Sequence, residues 1–110
     1  MARLVYRAAA RRDLADIAAY IEDESQSRAV ADAFIGRLMD YCEHIAELPV
    51  AMGRVRSDLG RGFRSVTFGR YVIFFEYGES NDSREYMFVT NVVHGSRDMD
   101  AYFEQHRDDD

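Results

Sequence analysis

The sequence predicts an α+β domain: a two-helix hairpin packed on a small, mostly antiparallel four-stranded sheet, in the order β-α-α-β-β-β with a short C-terminal helix. Three observations carry this. Apolar residues in the first half recur at helical spacing. Past Pro49 the pattern switches to short apolar runs and strict alternation, the period of strands. Glycines and polar clusters punctuate the second half at intervals that suit turns.

Leu4, Val5 and Tyr6 form a short apolar run that suits a first strand. Leu14, Ile17, Ala18 and Ile21 then fall at i, i+3, i+4 and i+7, one face of a helix. Arg11, Arg12, Asp13, Asp16, Glu22 and Asp23 lie between them as its solvated face. Ser25-Gln26-Ser27 breaks the period and offers an N-cap for a second helix. Val30, Phe34, Leu38, Tyr41, Ile45 and Leu48 make that helix's stripe, and Pro49 stops it. Residues 50–60 read as a loop. Phe63 to Phe68 alternates as a strand, with Arg64, Val66 and Phe68 on one face and Phe63, Ser65 and Thr67 on the other. Gly69-Arg70 suits a type II′ hairpin turn. Tyr71 to Phe75 is apolar throughout, which predicts a central strand covered on both faces. Gly78 to Ser83 reads as a polar turn, and Tyr86 to Val93 as a strand rich in aromatic and β-branched residues. Asp98 would cap a short last helix through Met99, Tyr102 and Phe103.

With 110 residues, 47% of them hydrophobic and 31% charged, the chain fits one domain, expected over 1–107 and followed by an acidic tail, 108–110. No apolar run approaches the roughly 20 residues that span a bilayer. Charge within the first residues, Arg3 and Arg7, does not suit a signal peptide, so the expected location is the cytoplasm. The single cysteine, Cys42, excludes an internal disulfide and a cysteine-based zinc cage, and its place beside the apolar stripe predicts burial. No metal or cofactor is expected. His44 has no partner at ligand spacing, and phosphate-loop, dinucleotide and nucleophile-elbow motifs are absent.

The formal net charge is -6, which argues against general affinity for nucleic acid. The distribution is uneven. Residues 52–74 carry Arg54, Arg56, Arg61, Arg64 and Arg70 against Asp58 alone, whereas the rest of the chain holds 9 arginines against 19 acids. Arginine's planar fork of donors grips carboxylates or phosphates bidentately, so this strip is the leading candidate for contact with a target. The alternative is a solvated surface paired with the chain's own acidic helices. All 14 basic residues are arginine, so no lysine is available as nucleophile or base. A second group, His94, Arg97, Asp98 and Tyr102, lies at and after the end of the last strand, where a rigid scaffold mounts functional groups. His94 has the range of a general acid, although a lone histidine more often serves as a polar strand end. Glu76 either pairs with an arginine of the sheet or marks the solvent side of its strand's end.

Taken together, several pieces resemble the toxins of the RelE/ParE superfamily, and the ParE branch most closely. They are Asp13-Leu14-Ala15-Asp16-Ile17 with Tyr20-Ile21, Leu48-Pro49 followed by Gly53, Gly62-Phe63-Arg64-Ser65, Gly69-Arg70-Tyr71-Val72-Ile73-Phe74-Phe75, and Val93-His94-Gly95-Ser96-Arg97-Asp98. The resemblance covers nearly the whole chain and implies the layout already read from periodicity. It also implies a toxin of a type II toxin–antitoxin system, of the kind linked to plasmid stabilisation, with a ParD-like antitoxin as partner.

Two activities follow from the resemblance. ParE-like toxins bind DNA gyrase and trap it on cleaved DNA without being catalysts. RelE-like toxins are ribosome-dependent mRNA endoribonucleases. For the second, the resemblance would assign Arg64, His94, Arg97 and Tyr102 as catalytic. The lysines typical of such nucleases are absent, and only Asp58 and Glu76 stand near the strip as bases. Gyrase inhibition is therefore the expected activity, with no catalytic residue and no specific DNA binding by the toxin itself. Arg54, Arg56, Arg61, Arg64, Arg70 and Arg97 are the residues expected to face target or antitoxin. The antitoxin is expected to dock by a helix in a groove, with strand addition to a sheet edge as a second mode.

Overall fold

The computed structural model describes residues 2–60, 62–79, 81 and 84–96. The expected C-terminal helix and the acidic tail lie outside the described residues, as do Arg61, Arg97 and Tyr102.

The chain forms β1 (Arg3–Tyr6), α1 (Ala8–Ser25), α2 (Arg28–Glu47), β2 (Arg54–Val55), a 3-10 turn (Ser57–Leu59), β3 (Phe63–Phe68), β4 (Tyr71–Glu79) and β5 (Glu85–His94). Among the described residues the sheet has five strands in the order β1-β5-β4-β3-β2, one more than expected. The addition is the two-residue β2, which the glycine-bounded loop concealed because two residues carry no period. β1 runs parallel to β5 and every other pair is antiparallel. The helical hairpin is thus a crossover that carries the chain from the β1 edge past its neighbours.

Local chemistry explains the helix ends. Ser27 caps α2, its hydroxyl accepting from the Val30 N–H at 3.1 Å. Gln26 closes α1 in the left-handed region at φ 56°. α2 ends one residue before Leu48-Pro49. Of its expected stripe, Leu38 and Ile45 are buried, whereas Val30, in the first turn, is 49% exposed. The β3–β4 turn has Gly69 at φ 59° and Arg70 outside the positive region, as a type II′ hairpin requires.

One core lies between helices and sheet, built on Leu14, Ile17, Leu38, Cys42, Ile45, Ile73, Phe75, Met87, Val89 and Val92. A β-bulge organises it. Phe74 pairs with Asn91 and Phe75 with Val89, leaving Thr90 without a partner on β4. The Thr90 hydroxyl donates to the Phe74 carbonyl at 3.2 Å. The extra residue puts both Val89 and Val92 into the core although they are three apart. β1 ends opposite Val89, so among the described residues no strand pairs with the rest of β5 on that side. There the Asp13 carboxylate accepts the Val92 N–H at 2.8 Å. Asp13, expected on the solvated face of α1, is instead half-buried and structural. The outer face of the sheet is not bare either: Phe74 and Val93 are buried there against Leu59 and Val72.

Candidate functional site

Strand alternation divides the arginine strip. β2 and β3 pair Arg54 with Ser65 and Val55 with Arg64. Even-numbered residues of β2 therefore share a face with odd-numbered residues of β3. Ser65 pairs with Phe74, which belongs to the outer cluster, so Arg54 and Arg56 lie on the outer face. Arg64 pairs with Phe75, a core residue, so it lies on the helix side. Arg70 is exposed at the tip of the β3–β4 turn. The expected single strip centred on Arg64 is thus two faces and a tip.

Each arginine meets different chemistry. The Arg56 guanidinium lies 5.1 Å from the centroid of the Phe74 ring. It also forks onto both oxygens of Asp58, at 3.1 and 3.0 Å. That hydrogen bonding holds the Asp58 carboxyl below its ordinary range and raises Arg56 further. Arg64 Nη1 donates to the Gly53 carbonyl at 3.2 Å, tying the loop before β2 to the sheet. Gly53 needs to be glycine: φ is +91°, and a Cβ would stand 2.9 Å from the Phe75 ring and 3.0 Å from the Ser65 carbonyl. Arg54 is exposed.

His94 ends β5 opposite Tyr71, with the rings edge-to-face at 5.3 Å. Its Nδ1 accepts from the Ser96 backbone N–H at 3.1 Å and faces the Ser96 hydroxyl at 2.7 Å. The structure does not bring His94 and Arg64 together. They flank β4 at Tyr71 and Phe75, four residues apart, or about 13 Å of strand.

Other features escaped sequence reasoning. Arg7, just before α1, stacks 4.3 Å from the Phe88 ring centroid and lies 3.7 Å from Glu76. This assigns Glu76 an arginine outside the sheet. A shallow groove between the helices is lined by Leu14, Ala15, Ala18, Ile35, Gly36 and Met39. A Cβ on Gly36 would meet nothing within 4 Å, so the groove floor is open there. The signal for it was present in the small residues beside the apolar stripe, which narrow the helix surface. The helices are acidic, with nine carboxylates against four arginines over residues 8–47. Among the described residues no cluster of three histidine, cysteine, aspartate or glutamate side chains could hold a metal. No described helix is long and apolar enough to cross a membrane.

The family model described as the ParE toxin of the type II toxin–antitoxin system, parDE, matches residues 4–99. The chain belongs to the ParE toxin family. The match takes in both helices and every strand save the first residue of β1. As a ParE toxin, the chain is the toxin component of a type II toxin–antitoxin system, and its partner is an antitoxin. No curated protein matches it.

Proposed function

We propose that this ParE-family chain acts in the cytoplasm by binding DNA gyrase, inhibiting it as a protein ligand rather than as a catalyst, and that a ParD-like antitoxin neutralises it. The observation that carries this reading is the separation of Arg64 from His94. A phosphodiester is cleaved by groups within hydrogen-bond reach of one reacting centre. About 13 Å of strand between the described candidates, with Arg64 engaged by the Gly53 carbonyl, favours a protein-binding role for these residues.

The groove between α1 and α2 suits the antitoxin. Its small and apolar floor admits the apolar face of an amphipathic helix. Met39, 37% exposed at its rim, offers an adaptable contact. The arginines of β2 and β3 are then left for the target.

Purified toxin added to gyrase and relaxed plasmid should inhibit supercoiling and accumulate cleaved DNA, and the antitoxin should reverse both. No effect on gyrase at stoichiometric excess overturns this reading. Cuts within translated messages after induction, lost in Arg64→Ala, would replace it with the endoribonuclease reading.

A further inference from the structure

We propose that the target is gripped at the end of the molecule where the β3–β4 turn meets the two helices, by apolar surface of Tyr20, Val30 and Phe34 and the guanidiniums of Arg37 and Arg70. This rests on the reading of the chain as a protein ligand of gyrase, and adds to the arginines of β2 and β3 a surface that none of them forms. Three elements come together there. The ring of Tyr71, the first residue of β4, stands 5.7 Å from that of Phe34 of α2. Burial raises the Tyr71 phenol, and the phenol of Tyr20 of α1 adds to this, which sets Tyr20 beside it. In the turn, a Cβ on Gly69 would meet the Phe34 ring at 4.0 Å. Arg70 follows Gly69, and the Arg37 guanidinium lies 5.8 Å from the centroid of the same Phe34 ring.

Tyr20 is 60% exposed, and so is 49% of Val30, one helical turn before Phe34 and on the same side of α2. Arg37 and Arg70 are exposed as well. Their charges stand apart from those of other arginines. Arg7, Arg28 and Arg56 each hold a carboxylate, of Glu76, Asp32 and Asp58, and Arg64 holds a backbone carbonyl. Among the described residues no carboxylate lies within ion-pair distance of Arg37 or Arg70. Unpaired guanidiniums beside an aromatic floor are ready to take carboxylates through their paired N–H donors. Tyrosine and arginine grouped about a half-buried ring also form the residue set that dominates protein interfaces.

The occupant that fits is a protein surface with carboxylates set around an apolar side chain. Nucleic acid suits it poorly. The chain carries a net charge of -6, so a polyanion that gains two guanidiniums here is repelled by the remainder. A phosphate backbone also offers nothing to Val30. The surface is distinct from the groove read as the antitoxin site. Gly36 and Met39 of that groove stand about 200° around α2 from Phe34 and Arg37.

The test titrates purified gyrase holoenzyme and relaxed plasmid with the full chain and compares the concentration that half-inhibits supercoiling. Arg37→Glu, Arg70→Glu and Tyr20→Ala should each raise it by about tenfold. Arg28→Glu makes the same charge change about 180° around α2 from Arg37, and should stay within about twofold. All four positions are exposed, and unchanged urea midpoints will show that the variants are folded. If the unmodified chain inhibits gyrase and the three variants do so equally well, this surface is not the one used, while the gyrase reading stands. An equal loss in Arg28→Glu replaces the surface with net charge. Binding of the chain to a short duplex DNA alone, lost in Arg37→Glu and Arg70→Glu, assigns the surface to nucleic acid instead. Self-association lost in the same variants assigns it to a second copy of the chain. No inhibition by the unmodified chain overturns the gyrase reading and this assignment with it.

Discussion

The two edges of the sheet are built for different work. β1 has four residues, runs parallel to β5, and packs against α2. Its entry is sealed by the Ala2 N–H donating to the Ala46 carbonyl of α2 at 2.7 Å. Tyr6 at its end reaches the buried Cys42. Where β1 stops, Asp13 takes over the next free N–H of β5. β2 has two residues, both exposed, held by antiparallel pairing to β3 and by the contacts of Gly53 and Met52. Both strands are terminal in the sheet, but β1 is packed on α2 whereas both residues of β2 are exposed. The family match spans both edges save Arg3 of β1.

The sharpest way to break this contrast is to remove mass from the β1 side. Met87 pairs with Leu4 of β1 and is fully buried in the main core. Met87→Ala leaves a cavity in a place hemmed by helix and sheet, and should cost about 3 kcal/mol within the usual range of about 2–5. Urea unfolding at neutral pH will measure it. A loss below about 1 kcal/mol would mean that the core beneath β1 relaxes freely, and that this edge is no firmer than the other.

A second probe of the β1 side is alkaline pH. Burial pushes the Cys42 thiol up to about 11 from an ordinary 9.0. Burial also raises the Tyr6 phenol, and the neighbouring thiol adds to that. A group whose folded value is raised contributes stability that is whole below its unfolded value and lost as pH climbs through the folded one. Stability should therefore be level up to about pH 9 and fall by on the order of 2 kcal/mol by about pH 11. Cys42→Ala should make this fall shallower, with Tyr6 supplying what remains. An unchanged slope in Cys42→Ala would place the alkaline sensitivity elsewhere and remove one support for the packed β1 side.

Periodicity made most of the scaffold legible. Leu14 and Ile17 of α1, Leu38 and Ile45 of α2, and the alternation of β3 all came directly from spacing, because long elements repeat their signal several times. Two residues cannot do so, and β2 was hidden for that reason. Burial of Asp13 was hidden for another: its partner is a backbone amide 79 residues away, freed only because β1 is shorter than β5. The site suffered most from register. Arginines close in sequence read as one strip, but antiparallel pairing of Arg54 with Ser65 sends Arg56 and Arg64 to opposite faces. Alternation within β3 was visible in the sequence; which residue of the loop it would meet was not. The ParE resemblance, in contrast, survived because it rests on several separated pieces whose order the fold preserves.

The smallest expected effect tests the β2 side. Gly53→Ala forces a side chain into φ +91° and against the Phe75 ring and the Ser65 carbonyl. In a rigid setting that strain would cost about 1–3 kcal/mol. Here the chain has a cheaper way out. β2 is short and both its residues are exposed, so it can peel from β3 and release the strain, and the global loss is then limited to what holds β2 in place, about 1 kcal/mol. The expected outcome is a small drop in urea stability, with faster amide exchange confined to residues 52–56. Peeling also opens the Arg64–Gly53 contact while the helical groove is untouched. If Gly53→Ala instead destabilises the whole molecule as much as Met87→Ala does, β2 is part of the cooperative core, and the distinction between a packed edge and an exposed one does not hold.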